Sequence, residues 1–332
     1  MNDARAKRIE VIALGGTIAS TKRPGTEGVV PELNAAELIG SLPEYADISI
    51  GARNLANLPS VEIDLPLLFK LRSAIAECER EGVDGIVITQ GTDTIEETAF
   101  ALDILCAPDV PVIITGAMRN ASQLGSDGPA NLASAIACAA DSDCRGRGVL
   151  VVLDDTIHTA AHVQKRDTSA LDAFWSPSPL GRITEGVPSL FHSPQRRRTI
   201  RVDDNSDLPF VPILKAGLAD PPTLVDAAIK AGAKGVVAEL PGGGHASAAW
   251  ADALEAAARN VPVIFASRTR GGRVLSSTYG QPGAEIDLIR RGLTGAGDLD
   301  ALKARLVLCL LLIAGTPERF PEYADLSWRP ER

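Results

Sequence analysis

Three short stretches of this chain hold residues that could bind a ligand or move a proton. A glycine pair followed by a hydroxyl, Gly15-Gly16-Thr17, lets the backbone approach a ligand closely while Thr17 offers an oxygen. A hydroxyl beside a carboxylate, Thr92-Asp93, stands just before Thr94-Ile95-Glu96-Glu97. Such a pair at a helix start can polarise water or hold an ammonium group. Thr94 and Glu97 have the spacing of a capping box, which accounts for those two and leaves Thr92 and Asp93 unexplained. Lys165, in His162-Val163-Gln164-Lys165-Arg166-Asp167, is the third feature. A lysine in a polar loop is usually solvated, but one held near a threonine and an aspartate can pass a proton.

Several other chemistries lack their residues. GGTIAS has neither the third glycine of a dinucleotide loop nor the lysine of a phosphate loop, so no nucleotide cofactor is expected. The four histidines (158, 162, 192 and 245) are scattered, and none has a G-x-S-x-G partner. His158 and His162 share helical i, i+4 spacing without a third ligand, so no metal is expected either. The formal net charge of −9 disfavours nucleic acid and anionic membranes as partners. One basic run, Arg196-Arg197-Arg198 with Arg201, is followed at once by acidic residues and reads as a solvated linker. Five cysteines (Cys78, Cys106, Cys138, Cys144, Cys309) lack metal-ligand spacing and suit buried thiols in a reducing compartment. No apolar leader precedes the first strand, and the longest apolar run, near Leu306–Ala314, is too short to span a bilayer. A soluble cytoplasmic protein is the expectation.

The elements that must position these residues alternate. β-Branched runs predict strands over Ile9–Leu14, Gly85–Thr89, Val112–Thr115 and Val149–Leu153. Helical patterns lie around Ala35–Leu42, Leu65–Arg80, Glu96–Leu105 and Ala130–Ala140. Alternation of this length means βαβ units and a mostly parallel sheet flanked by helices. A Pro-, Arg- and Asp-rich stretch near 193–212 then reads as a linker. Beyond it come strand Val211–Leu214, helix Pro222–Ala231, strand Gly235–Glu239, helix Ala246–Asn260, strand Val261–Ala266 and a closing helix, Asp298–Ala314. The expected organisation is an N-terminal α/β domain over residues 1–195, a linker over 196–212 and a smaller C-terminal α/β domain over 213–332. In open parallel sheets ligands bind outside the carboxyl ends of the strands. Gly15-Gly16-Thr17, Gln90-Gly91-Thr92-Asp93, Gly116-Ala117-Met118-Arg119 and Asp154-Asp155-Thr156 all follow first-half strands. The polar, breaker-rich stretch from Ser20 to Gly28 is a candidate lid.

These residues resemble the bacterial-type L-asparaginase family. Ala13-Leu14-Gly15-Gly16-Thr17-Ile18-Ala19 resembles its first signature, and Ile88 through Ala99, containing Gln90-Gly91-Thr92-Asp93-Thr94, the second. Thr115-Gly116-Ala117-Met118-Arg119, Ser126-Asp127-Gly128-Pro129-Ala130-Asn131-Leu132, the run from Gly148 to Thr156 and Val163-Gln164-Lys165 also match. The resemblance spans about residues 9 to 315 and implies hydrolysis of asparagine to aspartate and ammonia, without a cofactor. It implies Thr17 as the lid-side nucleophile and Thr92, Asp93 and Lys165 as the second catalytic cluster. Gly16, Ser60, Val61 and the backbone around Ala117 would line the substrate site, Ser60 holding the α-carboxylate. Glu285 would reach the substrate ammonium from a neighbouring subunit, in a homotetramer made of two intimate dimers.

Three positions depart from the family pattern. Val29 stands where the lid usually bears a tyrosine, Val61 where a glutamine often contacts substrate, and Gly243 where an asparagine is common. Thr21 or Thr26 are candidate replacements for the lost phenol. The departures keep two alternatives open. One is a glutaminase-asparaginase or other small-amide hydrolase, and the other a weakly active amide-binding regulatory paralogue.

Overall fold

A computed structural model describes residues 5–21, 30–31, 34–40, 42–43, 45–193, 198–204 and 206–326. The chain divides into two compact units, Met1–Thr199 and Ile200–Arg332. In the first, the described elements run β1 (Lys7–Ala13), β2 (Ser20–Thr21), β3 (Val30–Pro31), α1 (Ala35–Ile39), β4 (Ile48–Asn54), α2 (Leu65–Arg80), β5 (Gly85–Thr89) and α3 (Ile95–Leu105). They continue with β6 (Val112–Thr115), α4 (Gly128–Ala140), β7 (Val149–Leu153), β8 (Thr156–Thr159), β9 (Gln164–Lys165), β10 (Phe174–Trp175), β11 (Gly181–Thr184) and β12 (Val187–Leu190).

Eight of these strands make one sheet in the order β12-β11-β8-β7-β6-β5-β1-β4. From β4 to β7 every pairing is parallel. β5, β6 and β7 are buried at every position, which is why they read as unbroken aliphatic runs rather than alternating ones. One face packs on α4, joining Val11, Val87, Ile113, Leu150 and Val152 to Leu132, Ala135, Ile136 and Ala139. Helix α4 lies so close that a Cβ on Gly85 would sit 2.0 Å from the Ala139 carbonyl oxygen. On α3, Ile95, Ala99, Phe100, Leu102 and Ile104 are all fully buried. Each large aliphatic or aromatic side chain so covered contributes roughly 1.5–3 kcal/mol relative to exposure.

The mostly parallel sheet expected from the alternation is therefore present, with an addition. β8, β11 and β12 extend it antiparallel. The reversal is made by Asp154 and Asp155, with φ of 48° and 52°, in a two-residue turn between β7 and β8. These strands are only four residues each, too short to carry a clear alternation in the sequence. β4 also escaped the pattern, because its polar Ser49, Arg53 and Asn54 belong to the other sheet edge.

The second unit contains β13 (Ile213–Lys215), α5 (Thr223–Lys230), β14 (Val236–Leu240), α6 (Ala248–Ala258), β15 (Val263–Ser267), α7 (Glu285–Arg290), β16 (Thr294–Gly295) and α8 (Ala301–Ile313). Its four strands form a parallel sheet in chain order. Helix α8 starts at an Asp300 cap whose side chain accepts from the Lys303 amide, later than the Asp298 expected from composition. Among the described residues no helix is long and apolar enough to cross a membrane.

His158, on β8, is a buried histidine held by the fold. Its Nδ1 and Ser176 Oγ lie 2.8 Å apart. Its Nε2 is buried without a partner among the described residues. Burial pushes the imidazole pKa down to about 4. The unfolded chain, titrating near 6.5, therefore binds more protons between about pH 4 and 6.5, and stability rises with pH through that window. We expect unfolding free energy to fall as pH drops from 6.5 to 4, by an amount on the order of 3 kcal/mol from this group. Denaturant titrations of the protein and of His158→Gln at several pH values check this. Parallel pH profiles for the two would contradict it.

Candidate functional site

The ends of β1, β5 and β6 are tied together past their last ladder pairs. The Leu14 amide donates to Thr89 O at 2.9 Å, and the Gln90 amide to Thr115 O at 3.1 Å. Beyond Leu14 the chain turns at Gly15 and Gly16, with φ of 100° and 86°. Only glycine adopts this backbone without strain, and position 16 has no room for anything larger. A Cβ there would lie 2.0 Å from the Gly91 amide nitrogen. The two glycine-containing loops are thus in backbone contact. Thr17, half-buried, opens the short 3-10 turn Thr17–Ala19, and Ser20 Oγ donates back to Gly16 O at 2.8 Å.

The contacts continue outward from there. A Cβ on Gly91 would lie 2.9 Å from Ser60 Oγ. One on Gly116 would lie 2.7 Å from Gln90 O and 3.2 Å from Thr92 Cγ2. One on Gly128 would meet Ile18 Cγ1 at 3.0 Å and Ala117 Cβ at 3.5 Å. The loops carrying Thr17, Ser60, Thr92 and Ala117 are therefore brought together by close approaches of backbone.

Thr92 and Asp93 lie in a 3-10 turn, Thr92–Thr94, that feeds α3. Thr94 does not form the expected capping box. Its hydroxyl donates instead to Ser60 O at 2.8 Å, so tertiary contact displaces the local cap and ties the Ser60 turn to the Thr92 turn. Lys165 Nζ donates to Thr92 Oγ1 at 2.9 Å and to Asp93 Oδ1 at 2.8 Å. The Asp93 side chain is 65% exposed while that of Lys165 is 15% exposed, so the cluster opens outward through the carboxylate. Lys165 is steadied by the β9–β10 ribbon, where it sits opposite Phe174. Its neighbour Arg166 places its guanidinium 3.1 Å from the centre of the Trp175 ring.

Three buried oxygens in this region have no hydrogen-bond partner among the described residues: Ser60 Oγ, Thr89 Oγ1 and Gln90 Oε1. Leaving a buried polar atom unpaired costs about 1–3 kcal/mol, and such a concentration suits a pocket that a polar ligand completes. Ser60 is 3% exposed, whereas Val61 beside it is 64% exposed.

Glu285 stands in the second unit, at the start of α7. Its side chain is fully buried and accepts from the Tyr279 amide at 2.6 Å, the Thr278 amide at 2.7 Å and His245 Nε2 at 3.0 Å. Burial pushes its pKa up, but the amides of Tyr279, Glu285 itself and Thr278, with the His245 ring, outweigh burial and hold it below the ordinary value. His162 pairs its ring with Thr159 Oγ1 at 3.1 Å. No group of three or more His, Cys, Asp or Glu is gathered as a metal site among the described residues. Most of the candidate lid, including Thr26 and Gly28, lies outside the described residues, as do Val29, Arg196 and Arg197; its first two residues, in β2, pair with β3, which follows the stretch.

Sequence reasoning did not single out Asp127 and Asn131. Asp127 accepts from the Met118 and Arg119 amides, and Asn131 Nδ2 donates to Gly116 O at 3.0 Å. It also passed over His245, the partner of Glu285. Residues such as these act through long-range partners that no local pattern announces. The run from Ser126 to Leu132, which matches the family pattern, was the available signal, though it assigned neither side chain a role.

The family model described as "Asparaginase, N-terminal" matches residues 8–196. "Glutaminase/Asparaginase C-terminal domain" matches residues 210–320. "L-asparaginase 2" of Bacillus subtilis is 36% identical over 329 residues, covering 95% of this chain and 85% of the relative. "Probable L-asparaginase periplasmic" of Haemophilus influenzae is 35% identical over 322 residues, covering 94% and 90%. The crystal structure of a probable cytoplasmic L-asparaginase from Campylobacter jejuni superposes with a TM-score of 0.86 at 31% identity, covering 96% of this chain and 99% of that one. Matched by both domain models and by relatives along nearly its whole length, this chain belongs to the asparaginase family.

Proposed function

We propose that this protein hydrolyses the side-chain amide of L-asparagine to L-aspartate and ammonia by threonine-dependent nucleophilic catalysis. The single observation that carries the mechanism is Lys165 Nζ, within hydrogen-bond distance of both Thr92 Oγ1 and Asp93 Oδ1 on the loop against which Gly16 packs. Family membership and relatives named as L-asparaginases support the substrate.

An unactivated amide needs a nucleophile, a site for developing negative charge and a proton for departing ammonia. In our reading the hydroxyl oxygen of Thr17 or Thr92 bonds to the amide carbon, and its proton passes by way of Lys165 towards the leaving nitrogen. The backbone around Ala117 faces the carbonyl oxygen as charge develops there. The C–N bond breaks, ammonia leaves, and water then cleaves the acyl-threonine ester, restoring the hydroxyl and freeing aspartate. Ser60 takes the α-carboxylate, which gives its unpaired Oγ a partner. Asp93, and Glu285 from a second copy, take the α-ammonium. The donors around Glu285 hold its carboxyl below the ordinary value, so it presents a negative charge to a cation. A homotetramer of two intimate dimers, located in the cytoplasm, is part of the same reading, and the five free cysteines agree with a reducing compartment. Glutamine is the second substrate to test, because the C-terminal match is to a domain described for both activities.

Thr17→Ala and Thr92→Ala, each measured by ammonia release from asparagine, should lower kcat by at least about 10³-fold, the scale of removing a member of a cooperating catalytic unit. Near-normal turnover in either variant rejects the role of that threonine. Lys165→Met should cost about 10²- to 10⁴-fold in kcat, the range for a proton-transfer group. If only KM changes, Lys165 binds and does not transfer.

A further inference from the structure

The first turn of α4 touches both halves of the site without presenting a group to it. Asp127 Oδ2 accepts from the Met118 amide at 2.9 Å, and Oδ1 accepts from the Arg119 amide at 2.8 Å. Asn131, one turn further on and 4% exposed, donates through Nδ2 to Gly116 O at 3.0 Å and to Asp127 Oδ2 at 2.9 Å. Its Oδ1 accepts from the Asp154 amide at 3.0 Å, so it also ties the end of β7 into the same array. Between these two side chains the loop from Gly116 to Arg119 is gripped at both ends, with Ala117 in the middle. Ala117 is fully buried, Gly116 abuts Thr92, and Gly128 abuts Ile18, the residue after Thr17.

We infer that Asp127 and Asn131 are positioning residues for amide hydrolysis, acting together as a bracket that holds the Ala117 backbone in register with Thr17 and Thr92. The inference rests on the proposed asparagine hydrolysis and deepens it. A carboxylate accepts two adjacent amides at once, whereas an amide side chain has only one oxygen for the pair. Asp127→Asn therefore turns one of the two contacts into a donor facing a donor and releases that end of the loop. Asn131→Ala releases the other end at Gly116 O. The Asp127 and Asn131 side chains are engaged with backbone groups and with each other, so their loss acts on the transition state through a displaced backbone and leaves ground-state binding largely alone.

The test combines kinetics with hydrogen exchange on the full chain. Asp127→Asn and Asn131→Ala should each lower kcat by about 10²-fold, the scale of losing one oxyanion donor, while KM moves less than about threefold. Amide exchange in a peptide covering residues 116–119 should quicken by at least about tenfold, with β5 and β6 unchanged. Thermal melts identify a variant that merely fails to fold, and the second variant then carries the test. Unchanged exchange at 116–119 overturns the inference, and so does faster exchange with unaltered kcat. Failure of the proposed function is separate: the unaltered protein would release no ammonia from asparagine, while the exchange arm would still decide whether the bracket holds the loop.

Discussion

Backbone meets backbone where Gly16 rests on Gly91, and the arrangement of the site follows from that contact. β1 and β5 are neighbouring parallel strands, so their carboxyl ends emerge on the same side of the sheet. Any side chain at position 16 would drive the two loops apart, because a Cβ would fall 2.0 Å from the Gly91 nitrogen. With that gap closed, the Thr17 and Thr92 turns are adjacent, and Ser60 is also pressed against Gly91. Lys165 then needs to reach only one of the two threonines to complete the cluster.

The sheet provides what loops alone lack, a rigid edge. Strands buried at every position in β5, β6 and β7 leave little freedom at the points where the chain exits. Side-chain bonds then fix the exits in turn: Thr94 to Ser60 O, Ser20 to Gly16 O, and Asn131 to Gly116 O. The unpaired oxygens of Ser60, Thr89 and Gln90 are the converse: of the four buried side-chain atoms left without a partner among the described residues, three fall here and the fourth is His158 Nε2. Folded structure tolerates such gaps where a bound molecule fills them.

The fold was legible wherever elements were long and their pattern unbroken. Leu65–Arg80 and Gly85–Thr89 read directly from the sequence because one is an amphipathic helix with an aspartate cap and the other a run of β-branched residues. The antiparallel edge was not legible, since Gly181–Thr184 and Val187–Leu190 are short and partly exposed. The Lys165 contact with Thr92 and Asp93 was suggested by residue type and family likeness, and its geometry needed coordinates. Asp127 and Asn131 show why the rest stayed hidden, for their partners lie across a loop and at the end of another strand. Thr94 shows the reverse case, in which a sound local pattern yields to a tertiary partner.

The bond from Lys165 to Thr92 joins residues 73 positions apart in the chain. Segments so distant meet only after the intervening strands have found their neighbours, and the entropy of closing that span is lost before any compensating contact forms. The cluster of Lys165, Thr92 and Asp93 is consequently a late feature in the life of each molecule. A growing polypeptide that has emerged only as far as β7 owns both threonines and neither the lysine nor the ribbon that steadies it.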